Sequence, residues 1–223
     1  MSKFIVFEGI DGSGSSTQAD IIVRKLKEAG IPVLHTYEPS SGEIGRFIRN
    51  LFTRKEEMPN WKAMSLLFSA DRMQHVQNVV EPSIENGDVV ICERYYYSTI
   101  GYQVYTATND FIQSEDFFMD YSTFLPAIEV ITRKWIIELN KYAKKPDLTI
   151  VLSISPENAL KRMSGRQLDQ FEQKSDLQHY LAEYYDNLQK IFLHDNIYVV
   201  NSNRVLEIVT QDVWSILQDE GVL

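Results

Sequence analysis

Short apolar runs alternate along the chain with longer segments in which apolar residues recur at helical spacing. The runs at 4–7, 32–37, 88–92, 148–152 and 197–200 predict strands, and the segments at 16–29, 44–52, 61–80, 117–142, 156–163, 176–192 and 205–217 predict helices, with a break near Pro126. Continuously apolar strands are typical of a parallel sheet covered by helices on both faces. The pattern therefore predicts an α/β fold with a five-stranded parallel sheet, whose ligands bind at the carboxyl ends of the strands.

The predicted helix 61–80 carries an apolar stripe. Its members are Leu66, Leu67, Ala70, Met73 and Val76. In a protein with a buried sheet, such a stripe packs into the core more often than against a partner chain. We therefore expect this face of the helix to be buried.

Composition and charge narrow the class of protein. The chain has 223 residues, 44% of them hydrophobic and 24% charged, which suits one globular domain spanning 1–223. The net charge of −9 argues against general binding to nucleic acids or membrane surfaces, which needs a basic face. The single cysteine, Cys92, excludes an internal disulfide and fits a reducing compartment. The first apolar run is too short for a signal peptide and no run has transmembrane length, so we expect a cytoplasmic protein.

A glycine-rich segment follows the first predicted strand and opens the first predicted helix. Its spacing matches a phosphate-binding loop, Gly-x₄-Gly-Lys-Ser/Thr, at Gly9, Gly14 and Ser16, but Ser15 occupies the lysine position. Backbone N–H groups and the helix N-terminus would hold a phosphate, and the Ser16 hydroxyl would face Mg²⁺. The predicted nucleotide site comprises Gly9, Ile10, Asp11, Gly12, Ser13, Gly14, Ser15, Ser16 and Thr17. The alternative is a glycine-rich turn without a ligand.

The serine at position 15 has three explanations that the residues leave open. The chain could be an inactive kinase that still binds nucleotide, an active enzyme with an arginine from elsewhere, or the product of an engineered replacement. Two arginines flank Gly165 in the later segment, Arg162 and Arg166, and arginine suits phosphate. These residues predict either a mobile lid or, alternatively, a solvated helix end.

Two further groups of residues suggest binding sites, one for a metal and a phosphate and one for a base. Glu93 and Arg94 follow the third strand, where a carboxylate can serve Mg²⁺ and an arginine can bind a second phosphate; a surface ion pair is the alternative. Phe68 and Arg72 lie four residues apart and so share a helix face. They could stack on and hydrogen-bond a base, or they could be a core phenylalanine and a solvent-exposed arginine.

Taken together, these motifs resemble the thymidylate kinase family. The family's blocks are matched by Phe-Glu-Gly-Ile-Asp-Gly-Ser-Gly at 7–14, Glu-Pro at 38–39, Leu-Phe-Ser-Ala-Asp-Arg at 67–72, Glu-Arg-Tyr at 93–95, Ser98, Tyr-Gln at 102–103, Pro-Asp-Leu-Thr at 146–149 and a lid-like segment at 156–172. The resemblance extends from about residue 4 to about residue 201. It implies a P-loop nucleoside monophosphate kinase fold with a short lid at about 162–172. It also implies phosphoryl transfer from ATP to dTMP with Mg²⁺, and a homodimer.

The resemblance also implies roles for particular residues. Asp11 would approach the sugar 3′-hydroxyl and the acceptor phosphate, and Arg94 would hold that phosphate. Phe68 would stack on thymine, and Arg72 and Gln103 would hydrogen-bond the edge of the base. Ser98 and Tyr102 would line the pocket, and Tyr102 could sense the absence of a 2′-hydroxyl. Glu38, Pro39 and Arg49 complete the predicted substrate set. Ser16 and Glu93 would serve the metal, Arg162 would bind ATP, and Arg166 would supply the charge that Ser15 lacks.

The chain departs from the family pattern in several places. Besides Ser15, it has Glu93 for an aspartate, Tyr37 for a frequent arginine and Gln170 for a second lid arginine, and its segment 104–132 is longer than usual. That aromatic and acidic segment could cover the nucleoside pocket, pack on a partner chain, or have no role. Two alternative functions remain: a deoxynucleoside kinase, which shares the Glu-Arg pair but not the blocks at 67–72 and 102–103, and a nucleotide-binding protein without catalysis.

Overall fold

A five-stranded parallel sheet forms the centre of the molecule, as the apolar runs predict. The computed structural model describes residues 2–54, 58–114, 124–165 and 171–223. The strands are β1 Phe4–Glu8, β2 Val33–Tyr37, β3 Val89–Glu93, β4 Leu148–Ser153 and β5 Ile197–Asn201. Their order is β2-β3-β1-β4-β5, and every neighbouring pair runs parallel. Because β1 lies between β3 and β4, the loop that follows it leaves from the middle of the sheet.

Helices cover both faces of this sheet. They are α1 Ser15–Glu28, α2 Glu43–Thr53, α3 Trp61–His75, α4 Glu81–Glu85, α5 Tyr96–Ser114, α6 Leu125–Leu139, α7 Pro156–Arg162, α8 Ser175–Asp186, α9 Leu188–Ile191 and α10 Leu206–Asp219. Successive β1 residues face opposite sides, so Ile5 and Phe7 pack with α1 and α10, whereas Phe4 and Val6 pack against the π-helical turn Val76–Val80 that follows α3. Within the described residues, no helix is both long enough and apolar enough to cross a membrane.

The predicted helix 61–80 differs from the structure in shape and in its buried face. The α-helix ends at His75, and a π-helical turn, Val76–Val80, leads into α4. Leu66 is 51% exposed and Ala70 is also exposed, so the predicted apolar stripe is wrong at these positions. The buried face instead carries polar residues, among them Ser65 and Ser69, because this helix packs through hydrogen bonds and an ion pair described below.

Other boundaries also differ from the prediction. The sequence pattern assigned no helix to 96–114, yet α5 fills this segment and includes residues 104–114 of the long stretch noted above. In the described residues, the helix predicted from 117 begins at Leu125, one residue before Pro126, which suits a first helical turn. The helix predicted over 176–192 is divided at Asn187 into α8 and α9. Propensity missed α5 because its sequence is rich in tyrosine and threonine, which favour strands as readily as helices.

Candidate active site

The phosphate loop runs from the end of β1 to the start of α1 and depends on glycine backbone conformations. Gly12 has φ +79°, and a Cβ there would lie 2.6 Å from the carbonyl oxygen of Ala159 in α7. Gly14 has φ +93° and no side chain to cap α1. The first N–H groups of the helix therefore lack a side-chain acceptor from the capping position, which is the usual arrangement of an anion site.

A polar cleft of about 610 Å³ opens above this loop. Its lining contains Asp11, Gly12, Gly14, Ser15, Ser16, Thr17, Tyr37, Glu38, Glu93, Arg94, Arg162 and Met163. Most of the predicted phosphate residues are thus brought together on one surface. Ile10 is different, because its side chain is buried in the core and only its backbone can face a ligand.

Glu93 lies at the end of β3 and joins the loop to the sheet. One of its carboxylate oxygens accepts a hydrogen bond from the Ser16 hydroxyl, and the other lies 2.8 Å from Nε2 of His35. Burial alone would raise the pKa of Glu93, but the hydrogen bonds from His35 and Ser16 outweigh it and lower the pKa. The same hydrogen bond raises the pKa of His35 above its ordinary value.

The oxygens of Ser16 and Glu93 form a donor set that fits Mg²⁺. Mg²⁺ prefers oxygen ligands and is usually held by one or two protein groups, with phosphate oxygens and water completing its octahedron. The part of the chain that the structure describes has no cluster of three or more His, Cys, Asp or Glu side chains that could hold a metal alone. With Ser16 and Glu93 as the two protein groups, phosphate oxygens of a nucleotide and water would complete the octahedron.

Arg94 is the cation at the centre of the cleft. Its φ of 62° is left-handed, which is unusual for a residue with a side chain, and its N–H donates to the carbonyl oxygen of Phe7 at 2.8 Å. The guanidinium donates to Asp11 Oδ1 at 2.5 Å and to Ser98 Oγ at 3.2 Å, while the Tyr102 hydroxyl donates to Asp11 Oδ2 at 3.1 Å. Burial would lower the pKa of Arg94, but the Asp11 carboxylate holds it well above the ordinary value.

A buried glutamate beneath the cleft fixes the start of α5. Glu8 accepts hydrogen bonds from the Tyr95 backbone N–H at 2.8 Å, the Ser98 hydroxyl at 2.6 Å and the Tyr185 hydroxyl at 3.0 Å. Desolvation by burial raises the pKa of Glu8 despite these donors. The Ser98 side chain is therefore held between Glu8 and Arg94, so that the position of Arg94 is tied to the sheet.

A second, more apolar cleft of about 490 Å³ adjoins the first. Its lining contains Asp11, Glu38, Pro39, Phe52, Met58, Pro59, Trp61, Met64, Phe68, Arg94, Tyr95, Ser98, Thr99, Tyr102, Gln103, Thr106, Phe171 and Lys174. Three residues, Asp11, Glu38 and Arg94, line both clefts. The two spaces therefore meet at Arg94.

Two of the predicted substrate residues do not line this second cleft. Arg72 is 1% exposed, and its guanidinium donates to Asn140 Oδ1 at 2.6 Å and to Thr99 Oγ1 at 3.1 Å and pairs with Glu38 at 2.8 Å. Phe68 is the member of the pair that reaches the cleft, so the alternative of a core phenylalanine and a solvent-exposed arginine is wrong. Arg49 donates instead to the Pro39 carbonyl oxygen.

The lid residues are only partly described. Arg162, the last residue of α7, donates to the Ser13 carbonyl oxygen at 3.1 Å and also to the Ser202 carbonyl oxygen. It lines the polar cleft and also a third cavity of about 290 Å³, whose other lining residues are Ser13, Gly14, Thr17, Gln18, Ser202, Arg204, Leu206 and Val209. Arg166, predicted to supply charge, lies outside the described residues, as do Gln170 and residues 115–123.

Several cleft residues were missed from the sequence. Phe171 meets Tyr102 edge-on at 5.9 Å between ring centroids and Phe52 edge-on at 5.6 Å, so aromatic rings from three segments surround the second cleft. Phe52 lies in the last turn of α2, and Phe171 lies near the end of the predicted lid; nothing in the sequence distinguished either ring as a cleft residue. His35 was also missed, because one histidine in a predicted strand gives no sign of its partner.

Known proteins are similar in sequence to this chain over nearly its whole length. A family profile described as thymidylate kinase matches residues 7–133 and 116–213. The chain is 32% identical over 222 residues to a "Probable thymidylate kinase" of Pyrococcus abyssi, covering 97% of the chain and 96% of the relative. It is 34% identical to a protein of the same description from Methanococcus aeolicus, covering 100% of each, and 37% identical over 188 residues to one from Methanococcus maripaludis, covering 84% of the chain and 78% of the relative.

Proposed function

The chain belongs to the thymidylate kinase family, and we propose that it transfers the terminal phosphoryl group of ATP to the 5′-phosphate of dTMP, giving dTDP, with Mg²⁺. The meeting of the two clefts at Arg94 is the observation that carries this proposal. A phosphoryl donor in the polar cleft and a nucleoside monophosphate in the second cleft would bring their phosphates together at this side chain. Such a meeting is what in-line transfer requires, because positioning and charge stabilisation do most of the work in this chemistry.

On the donor side, the loop 9–17 would hold the phosphates of ATP. Backbone N–H groups and the N-terminus of α1 bind them without a side-chain charge. The third cavity, beside Arg162 and Arg204, is where the rest of the nucleotide would extend from Gly14 and Thr17. Ser16 and Glu93 would hold Mg²⁺, which neutralises phosphate charge during transfer.

On the acceptor side, the second cleft offers aromatic faces and an amide. Phe68 would stack on thymine and Gln103 would hydrogen-bond its edge. Arg94 would hold the 5′-phosphate in a two-pronged contact, with Asp11 and Tyr102 near the sugar. Arg72 would not contact the base directly, because its guanidinium is bound to Glu38 and Asn140. It would instead hold the wall of the cleft in place through Glu38.

An active enzyme with Ser15 in the loop needs a positive charge from another residue, and arginine suits phosphate. Among the described residues that line the polar cleft, the cations are Arg94 and Arg162. We propose that Arg166, at the lid, supplies the further charge during transfer. An Arg166→Ala variant should then lose roughly 10²–10³ in turnover, the usual effect of one removed stabilising donor. Undiminished turnover in that variant would refute this role.

The proposal is tested by offering dTMP and thymidine separately with ATP and Mg²⁺ and separating the products by ion-exchange chromatography. We expect dTDP from dTMP and no dTMP from thymidine. Product from thymidine alone would instead indicate a deoxynucleoside kinase. Binding of ATP and dTMP without product over hours would indicate a nucleotide-binding protein without catalysis.

We also propose a homodimer, for which the exposed Leu66 on α3 is a compatible surface, and a location in the cytoplasm, which fits the single, buried cysteine. From the predicted insertion 104–132, the described residue Thr106 lines the second cleft and would contribute to the wall of the nucleoside pocket. Sedimentation of the purified chain with and without a Leu66→Asp substitution tests the dimer: a dimer that persists unchanged in the variant would exclude this surface.

A further inference from the structure

His35 lies on the strand beside Glu93 and contacts it directly. In the parallel pairing of β2 and β3, His35 is opposite Ile91 and Tyr37 is opposite Glu93. Side chains two residues apart on a strand lie on the same face of the sheet, so Glu93 shares a face with Ile91 and His35. His35 is therefore a diagonal neighbour of Glu93 on the adjacent strand. Its Nε2 lies 2.8 Å from Glu93 Oε1, and its Nδ1 lies 3.5 Å from Asp20 Oδ1 on α1.

Glu93 needs such a neighbour more than an aspartate would. A glutamate has one more rotatable bond, so its carboxylate can leave the metal position unless something fixes it. In this structure each carboxylate oxygen of Glu93 has its own partner: the Ser16 hydroxyl donates to Oε2, and Nε2 of His35 lies within hydrogen-bond distance of Oε1. The second contact defines the direction in which the carboxylate points.

We infer that His35, supported by Asp20, is a positioning residue that fixes the Glu93 carboxylate for Mg²⁺. This inference rests on the proposed function, because it assumes that the metal enters with a nucleotide at Ser16 and Glu93. His35 is not assigned as a metal ligand, since its Nε2 is already directed at the carboxylate. Outer partners of this kind orient the groups that bind a metal, and their loss typically lowers metal affinity about 10- to 100-fold.

Another histidine–glutamate pair in the chain provides a matched control. His179 Nε2 lies 3.1 Å from Glu157 Oε1, much like the pair at the cleft. Their side chains are 56% and 63% exposed, against 25% and 19% for His35 and Glu93, and neither His179 nor Glu157 lines the three cavities described above. Loss of His179 should therefore have no effect on metal binding.

The experiment compares His35→Leu, His35→Gln and His179→Leu with the unaltered chain. Free Mn²⁺ is measured by electron paramagnetic resonance during titration of each protein saturated with ADP. We expect about tenfold weaker Mn²⁺ binding for His35→Leu, because the donor is lost. His35→Gln, which retains an N–H near the position of Nε2, should restore most of the affinity, and His179→Leu should bind as the unaltered chain does. In dTMP phosphorylation, the concentration of Mg²⁺ needed for half-maximal rate should rise in His35→Leu, with kcat at saturating Mg²⁺ changed less than threefold.

Thermal unfolding without nucleotide or metal shows whether each variant folds. Should His35→Leu fail to fold, Asp20→Ala replaces it, since Asp20 is exposed and alanine removes the oxygen beside His35 Nδ1; a two- to threefold weaker Mn²⁺ affinity is then expected, and an unchanged affinity would overturn the inference. Equal Mn²⁺ affinity in His35→Leu and the unaltered chain would also overturn it, as would a His35→Gln variant as weak as His35→Leu. If the unaltered chain with ADP bound no Mn²⁺, the proposed function itself would fail, and the inference with it.

Discussion

Gly12 is the position at which the phosphate loop presses against α7, and replacing it with alanine tests that contact. A Cβ at residue 12 would lie 2.6 Å from the carbonyl oxygen of Ala159, and φ at this position is +79°. Gly87, in the turn before β3, has a similar φ of +95° but has no atom within 4 Å of the added Cβ. The two substitutions therefore share the conformational cost and differ in the steric overlap.

The two costs can be estimated separately. A left-handed backbone costs an alanine about 1–2 kcal/mol, and the stiffer unfolded chain returns roughly 0.4–1 kcal/mol. Gly87→Ala should thus destabilise the protein by at most about 1.6 kcal/mol. Overpacking against a backbone carbonyl adds about 1–3 kcal/mol, so Gly12→Ala should cost about 1–4.6 kcal/mol, which is about 1–3 kcal/mol more than Gly87→Ala.

Urea unfolding of both variants without ligand measures the free energies of unfolding, and calorimetric titration with an unreactive ATP analogue measures binding. Gly12→Ala should also weaken nucleotide binding, because the loop must move away from α7 to relieve the overlap. Gly87→Ala should bind as the unaltered chain does. Equal destabilisation in the two variants would refute the contact between the loop and α7.

Three further predictions concern charge. Ser15→Lys should change the turnover of dTMP by less than about tenfold if arginines already supply the charge, whereas a gain of roughly 10²–10³, the usual worth of one such group, would show a site impaired by the serine. Arg94→Lys should lower kcat/KM for dTMP by about 10²-fold, because a lysine cannot make the two-pronged phosphate contact; steady-state kinetics at saturating ATP measure this, and a small change would argue against the role of Arg94. The pKa of Glu8 is raised in the folded protein, so between the ordinary value of 4.5 and the folded pKa the folded state keeps a proton that the unfolded state has released. The contribution of Glu8 to the free energy of unfolding therefore falls as the pH rises through this range. Urea unfolding of Glu8→Gln should therefore show the advantage of the unaltered chain shrinking over that window, and a constant difference would contradict the assignment.

Much of the fold was predictable because it depends on local pattern. The five apolar runs became the five strands within one residue at either end, and the glycines of the loop fell between β1 and α1. The helix α5 was missed, since its tyrosines and threonines carry no helical preference and its burial comes from packing against α6 and α8. The predicted stripe on α3 was wrong at Leu66 and Ala70 for a related reason: a count of apolar residues does not detect a helix face that is buried through the Arg72–Glu38 ion pair.

The candidate site divides in the same way. The sequence by itself determined the phosphate loop, the Glu93–Arg94 pair at a strand end and the aromatic position Phe68, because each depends on a strand end or a fixed spacing along one segment. Only the tertiary structure decided that Phe68 and not Arg72 reaches the cleft, that Phe171 closes one side of it, and that His35 holds Glu93. These outcomes depend on which side chains meet across segments far apart in the chain, and short-range spacing carries no information about that meeting.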